Sequence, residues 1–115
     1  MSFPRREDHG EALHERVRQI VELVGDYPEG IVEVAGDPGL AELLRAEIGA
    51  RVAEDETPRP TVVVDATGSP HLIRGALRRL ADHGLLILTA RLRGDQGQLD
   101  YYQDLHLRNL TVIGL

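Results

Sequence analysis

The stretch from Thr61 to Thr89, TVVVDATGSPHLIRGALRRLADHGLLILT, constrains the fold more than any other part of the chain. A β-branched run ends in Asp65 and is broken by Gly68. Ser69 and Pro70 then supply a helix cap and a first helical residue, and apolar residues recur at helical spacing until Gly84, which closes the helix ahead of a second apolar run, LLIL. Strand, turn, helix and strand in this order make one βαβ unit, whose crossover helix sets its two strands parallel. In that helix Leu72, Ile73, Ala76, Leu77 and Leu80 are expected to face inward. Arg74, Arg78 and Arg79 are expected to face water, with an anionic partner as the alternative.

The same pattern extends upstream. Leu13, Val17, Ile20, Val21 and Val24 recur at helical spacing between about Asp8 and Gly25, and a Pro- and Gly-containing turn follows at 26–30. Ile31 to Ala35 reads as a short strand. Asp37 and Pro38 open a second helix whose buried face is Leu40, Leu43, Leu44 and Ile48 and which Gly49 ends. Arg51 to Ala53 reads as a short edge strand, and an acidic, Pro-rich connector runs from Glu54 to Pro60. Downstream, a charged loop at 91–97 and a short helix around 100–107 lead to a last strand, Leu110 to Ile113. Strands alternating with helices in this way predict a three-layer α/β domain around a parallel sheet. At 115 residues the chain makes one domain, 1–115, with 1–8 frayed or extended.

Composition removes several classes of chemistry. There is no cysteine, so there is no thiol nucleophile, thiolate ligand or redox switch, and a cytoplasmic location is expected. All 13 basic residues are arginine. Without lysine the chain forms no Schiff base and completes no P-loop. A net charge of −6 and only four aromatic residues argue against nucleic acid as a partner. The apolar runs are too short for a membrane helix, so no membrane partner is expected. His9 and His14 are five residues apart and point about 140° away from each other on a helix, which does not make a metal pair. Tyr102 and His106, four apart, share a helix face as a candidate acid/base pair, the alternative being packing or contact with a partner subunit. The run Asp65 to Pro70 either lines a ligand crevice at a strand end or is a tight turn with a helix cap.

Three segments, VVVDATGSP, the helix end ADHGLLILT and DLHLRNLTVIG, resemble in this order and spacing the second half of the nucleotide-binding domain of the medium-chain, zinc-type alcohol dehydrogenase family. The resemblance covers about 31–115. It implies a Rossmann-like sheet and a nicotinamide cofactor, NADP or NAD. By resemblance Ala66, Thr67 and Gly68 lie beside the adenosine ribose, Leu88, Thr89 and Ala90 beside the nicotinamide, and Gly114 and Leu115 border it. The acidic residue that grips the ribose in the family aligns with Gly36, next to Asp37, and a glycine there tolerates a 2′-phosphate and so ranks NADP ahead of NAD.

The chain departs from the family in its missing parts. Among its 12 glycines no two are spaced G-x-G, so the first strand and its phosphate turn ahead of the helix at 8–25 are expected to be missing or reduced to MSFPRRED. The family's zinc-ligand domain is expected to be absent as well. The expectation is therefore a truncated Rossmann-like domain in which the strand at 31–35 lies directly beside that at 61–65, instead of being separated from it as in the order 3-2-1-4-5-6. Its expected function is binding of a small molecule or a complementing protein without independent redox activity. A small stand-alone enzyme, NAD(P)-dependent or performing cyclisation or isomerisation, and a structural interaction module are the alternatives. The apolar last strand predicts a homodimer.

Overall fold

The structure, a computed structural model, describes residues 6–90 and 108–115, with side chains from Ala12 onward. The elements are α1 (Arg6–Val24), β1 (Val32–Ala35), α2 (Pro38–Ile48), β2 (Val52–Ala53), β3 (Val62–Asp65), α3 (Pro70–Arg79), β4 (Leu85–Leu88) and β5 (Thr111–Gly114). The strands form one parallel sheet in the order β2-β1-β3-β4-β5. It is an α/β, Rossmann-like arrangement in which, among the described residues, no strand stands between β1 and β3. As expected, β1 pairs directly with β3, from Val32 opposite Val62 to Ala35 opposite Asp65.

Alternation along the strands divides the core between two faces. Val32, Val34, Val62, Val64, Leu85 and Ile87 point to one face, where α1 contributes Val17, Ile20 and Val24 and α2 contributes Leu40, Ala41 and Leu44. Val63 and Leu86 point to the other and meet Ile73, Ala76, Leu77 and Leu80 of the α3 segment. Strands covered on both faces need the near-continuous apolar runs VVV and LLIL. The helix starts match their sequence signals: Asp37 Oδ1 accepts from Leu40 N at 3.0 Å ahead of Pro38, and Ser69 Oγ accepts from Leu72 N at 3.4 Å ahead of Pro70.

Several expectations need correction. Helix α3 ends at Arg79, not at Gly84, because Leu80 leaves helical geometry with ψ 140° and turns its side chain into the core. Gly84 serves the turn into β4, where a Cβ would come within 2.7 Å of the Ala81 carbonyl oxygen and 2.9 Å of that of Thr61. Leu72 is 43% exposed, because it overhangs a cavity on the α3 face where the apolar packing stops. Leu13 of α1 is exposed beside a cavity on the opposite face. The last strand begins at Thr111, one residue later than its pattern suggested. The loop at 91–97 and the helix around 100–107, with Tyr102 and His106, lie outside the described residues.

Arg79 corrects the expected solvent face of α3. In register across the sheet, the position beside Val63 on the α3 face of β1 is Glu33, which is 2% exposed. Arg79 grips it with two parallel bonds, Nη1 to Oε1 at 2.7 Å and Nη2 to Oε2 at 2.8 Å. Thr57 N donates to the same Oε1 at 2.8 Å, and Arg79 Nη1 donates back to the Thr57 carbonyl at 3.0 Å. The connector, β1 and α3 are thus tied at one point. The hydrogen bonds to Glu33 raise the Arg79 pKa above its ordinary value, against burial, which lowers it. A raised value means the stabilisation is complete below the unfolded-state pKa and fades only as pH rises through the folded one, so the guanidinium stays charged throughout the working range. Breaking a buried pair costs far more than it gains in forming, because the remaining charge is stranded. Arg79→Ala is expected to lower stability by about 3 kcal/mol in urea unfolding. Arg79→Lys, which loses the bidentate fork, is expected to fall between it and wild type. A change within about 0.5 kcal/mol, the range of ordinary surface substitutions, would contradict this role.

Candidate functional site

The carboxyl ends of β1, β3 and β4 open on the same end of the sheet, the place where α/β sheets bind ligands. The chain leaves β1 through Gly36 and Asp37, β3 through Ala66 and Thr67, and β4 through Thr89 and Ala90. On the α1 and α2 face these ends bound a cavity of about 340 Å³, walled by Leu13, Arg16, Asp37, Ala66, Thr89 and Ala90. Arg16 reaches from α1 across to the end of β4, where its Nη1 donates to the Thr89 carbonyl at 3.1 Å. Thr89 is itself anchored, since its N and Oγ1 both donate to the Asp65 carbonyl, at 2.9 and 3.1 Å. Among the described residues, the polar recognition this cavity offers is one cation, one carboxylate and the Thr89 backbone. No group of three His, Cys, Asp or Glu side chains that could hold a metal occurs among the described residues.

The turn after β3 has a structural reason for each of its polar residues. Asp65 is 2% exposed, and its carboxylate accepts from Thr67 Oγ1 at 2.7 Å and from Gly68 N at 3.0 Å. Thr67 Oγ1 in turn accepts from Ser69 N at 3.1 Å. Gly68 takes φ 67°, which favours glycine. Gly36 is required by its neighbour: at φ 90° its added Cβ would stand 2.7 Å from Thr67 Cγ2 and 3.0 Å from Thr67 N. This close approach follows from the direct pairing of β1 with β3.

The residues singled out from the sequence therefore divide. Asp37, Ala66, Thr89 and Ala90 meet at the first cavity. Gly36 and Thr67 border a second one of about 190 Å³ on the α3 face, together with Glu33, Glu54, Asp65 and Arg79. Gly68 is buried in its turn, Leu88 packs toward the α3-side core, and Leu115 is exposed at the end of β5, its N donating to the Leu88 carbonyl at 2.8 Å. Sequence reasoning missed Arg16, one of three arginines on an otherwise ordinary amphipathic helix, and Glu33, an acidic residue inside an apolar strand. The N-terminus of α2 already holds the Asp37 carboxylate, and that of α3 holds Ser69 Oγ, so each spends a free N–H that an anion would use.

No family model matches the chain, and no curated protein matches it. Solved structures do. A putative NADPH:quinone reductase from Mesorhizobium loti superposes with a TM-score of 0.67 at 16% identity, over 100% of this chain and 45% of that one. The D-arabinose dehydrogenase of Sulfolobus solfataricus gives 0.61 at 19% identity, over 85% and 41%. The chain shares its fold with part of the zinc-type, medium-chain dehydrogenases. The 2R,3R-butanediol dehydrogenase of Bacillus subtilis agrees, with a TM-score of 0.55 at 16% identity over 75% of this chain and 35% of that one. Against these dehydrogenases the chain spans less than half their length.

Removal of the Asp65 carboxylate orphans the buried Gly68 N–H. Asp65→Ala is expected to cost about 2 kcal/mol in urea unfolding, and Asp65→Asn, which keeps one acceptor, clearly less. Equal losses for the two substitutions would show that the carboxylate does not hold the turn through Gly68.

Proposed function

We propose that this is a dehydrogenase-like nucleotide-binding domain that carries out no redox reaction of its own and binds a small molecule or a complementing protein, with the crevice between Arg16 and Asp37 as the small-molecule site. The observation that carries the reading is the hydrogen-bonded pairing of β1 with β3. It fills the position of the central strand, whose Gly-rich turn presents the pyrophosphate-binding amides in dinucleotide-binding folds. A cavity of about 340 Å³ is at the small end of small-molecule sites. Its opposite charges suit a compact polar ligand, an acidic group toward Arg16 and hydroxyl or amine donors toward Asp37.

Each charge-assisted contact that the missing turn would supply is worth about 1.5–3 kcal/mol. Gly36 favours NADP over NAD in the sequence reading, yet the Asp37 carboxylate on the crevice wall would repel a 2′-phosphate. Titration calorimetry is therefore expected to find millimolar or weaker binding for both NAD(H) and NADP(H). Micromolar affinity for either would overturn the reading in favour of a stand-alone oxidoreductase.

The partner reading rests on β5. It ends the sheet, Val112 is 41% exposed, and no strand pairs with its outer edge among the described residues. An apolar edge strand of this kind invites pairing, and we place a second copy of the chain there. Light scattering is expected to report a dimer, and Val112→Lys a shift toward monomer with the fold retained. A wild-type monomer at high protein concentration would refute the dimer.

A further inference from the structure

The end of the sheet opposite the crevice gathers arginines. The connector entering β3 brings Pro58 and Arg59, the end of α3 brings Arg78, Arg79 and Leu80, and the segment entering β5 brings Arg108. Together they line a cavity of about 500 Å³. Four of these six residues are arginine, on a chain of net charge −6. Like charges drawn into one pocket repel unless something offsets them, so the partners of each guanidinium matter.

Two of the four are fixed. Arg79 is held by Glu33 and the Thr57 carbonyl. Arg108 donates through Nε to Asp82 Oδ1 at 3.2 Å and through Nη1 to the carbonyls of Leu77 at 2.6 Å and Arg78 at 3.3 Å, which are unsatisfied acceptors at the end of α3. Arg59 and Arg78 are exposed, and their side chains have neither hydrogen bond nor ion pair among the described residues. The negative end of α3 gives Arg78, Arg79 and Arg108 a structural reason to be nearby. It gives none for Arg59, which arrives from a separate connector with its backbone at φ 51°. Glu33 and Asp82, with Glu56 whose charge also acts on Arg79, supply three carboxylates against four guanidinium groups, which leaves a local excess of one positive charge among the described residues.

We infer that this cavity binds a small phosphorylated molecule, with its phosphoryl group clamped between Arg59 and Arg78 against the fixed charges of Arg79 and Arg108. A guanidinium presents a planar fork of donors that matches two phosphoryl oxygens, and two such forks satisfy a dianion. The two held arginines preorganise the field, so fewer side chains lose freedom on binding. Pro58 and Leu80 give the wall an apolar strip for the organic part of the ligand. A polyanion such as RNA fits less well, since the rest of the surface carries the negative charge that would repel it.

The test is titration calorimetry with glycerol phosphate and with inorganic phosphate, each against sodium chloride of matched ionic strength. Saturable binding of glycerol phosphate is expected, weakened about tenfold or more in the double variant Arg59→Gln/Arg78→Gln, which should melt as wild type because neither side chain holds a fold contact. Inorganic phosphate of equal affinity assigns the site to the phosphoryl group alone; weaker binding adds the Pro58 and Leu80 wall to it. No saturable binding beyond the chloride control, or wild-type affinity in the double variant, overturns the proposal. So does a short single-stranded oligonucleotide that displaces glycerol phosphate at lower concentration than the ester itself.

Discussion

The four-residue ladder between β1 and β3 is the constraint on which the rest of the structure depends. Once these strands are neighbours, the chain leaving β1 passes so close to the turn after β3 that residue 36 must be glycine. The same adjacency puts Glu33 in line with Val63 on the α3 face, in a layer that is otherwise apolar there. A carboxylate in that layer needs a buried counter-charge, and Arg79 from the end of α3 supplies it with the geometry a carboxylate prefers. Sheet order, the glycine and the ion pair are three consequences of one pairing.

That pairing also shapes the sites. At the carboxyl ends of the strands, one N–H at the start of each of α2 and α3 is taken by a capping side chain, Asp37 and Ser69. At the amino ends the reverse holds: helix carbonyls and arginines meet, and the positive charge outnumbers its partners. Arginines thus stand at both ends of the sheet, Arg16 at the carboxyl ends and the group around Arg59 and Arg78 at the amino ends.

Much of the fold was legible in the sequence because its signals are local. The caps Asp37 with Pro38 and Ser69 with Pro70, the period-two apolar strands and the stripe Val17, Ile20 and Val24 each act within a few residues, and each appears where its pattern places it. The direct pairing of β1 with β3 was legible as an absent glycine turn. The interactions that escaped are long-range. Nothing near Glu33 in IVEVAG announces an arginine 46 residues away, and nothing in the spacing of RGALRRL says that Arg79 turns inward while Arg78 does not. The exposed Leu72 and Leu13 were misplaced for a related reason: periodicity identifies a helix face, but only tertiary packing decides where the surface beneath it gives way to a cavity.

The most direct test of the account is the distance between the backbones of β1 and β3 in solution. Neighbouring strands lie about 4.8 Å apart, whereas strands separated by another lie near 9.6 Å. Multidimensional NMR is expected to show sequential cross-strand amide and α-proton contacts joining 32–35 to 62–65 in the parallel register. The absence of these contacts, or contacts of both segments to a common third strand between them, would contradict it.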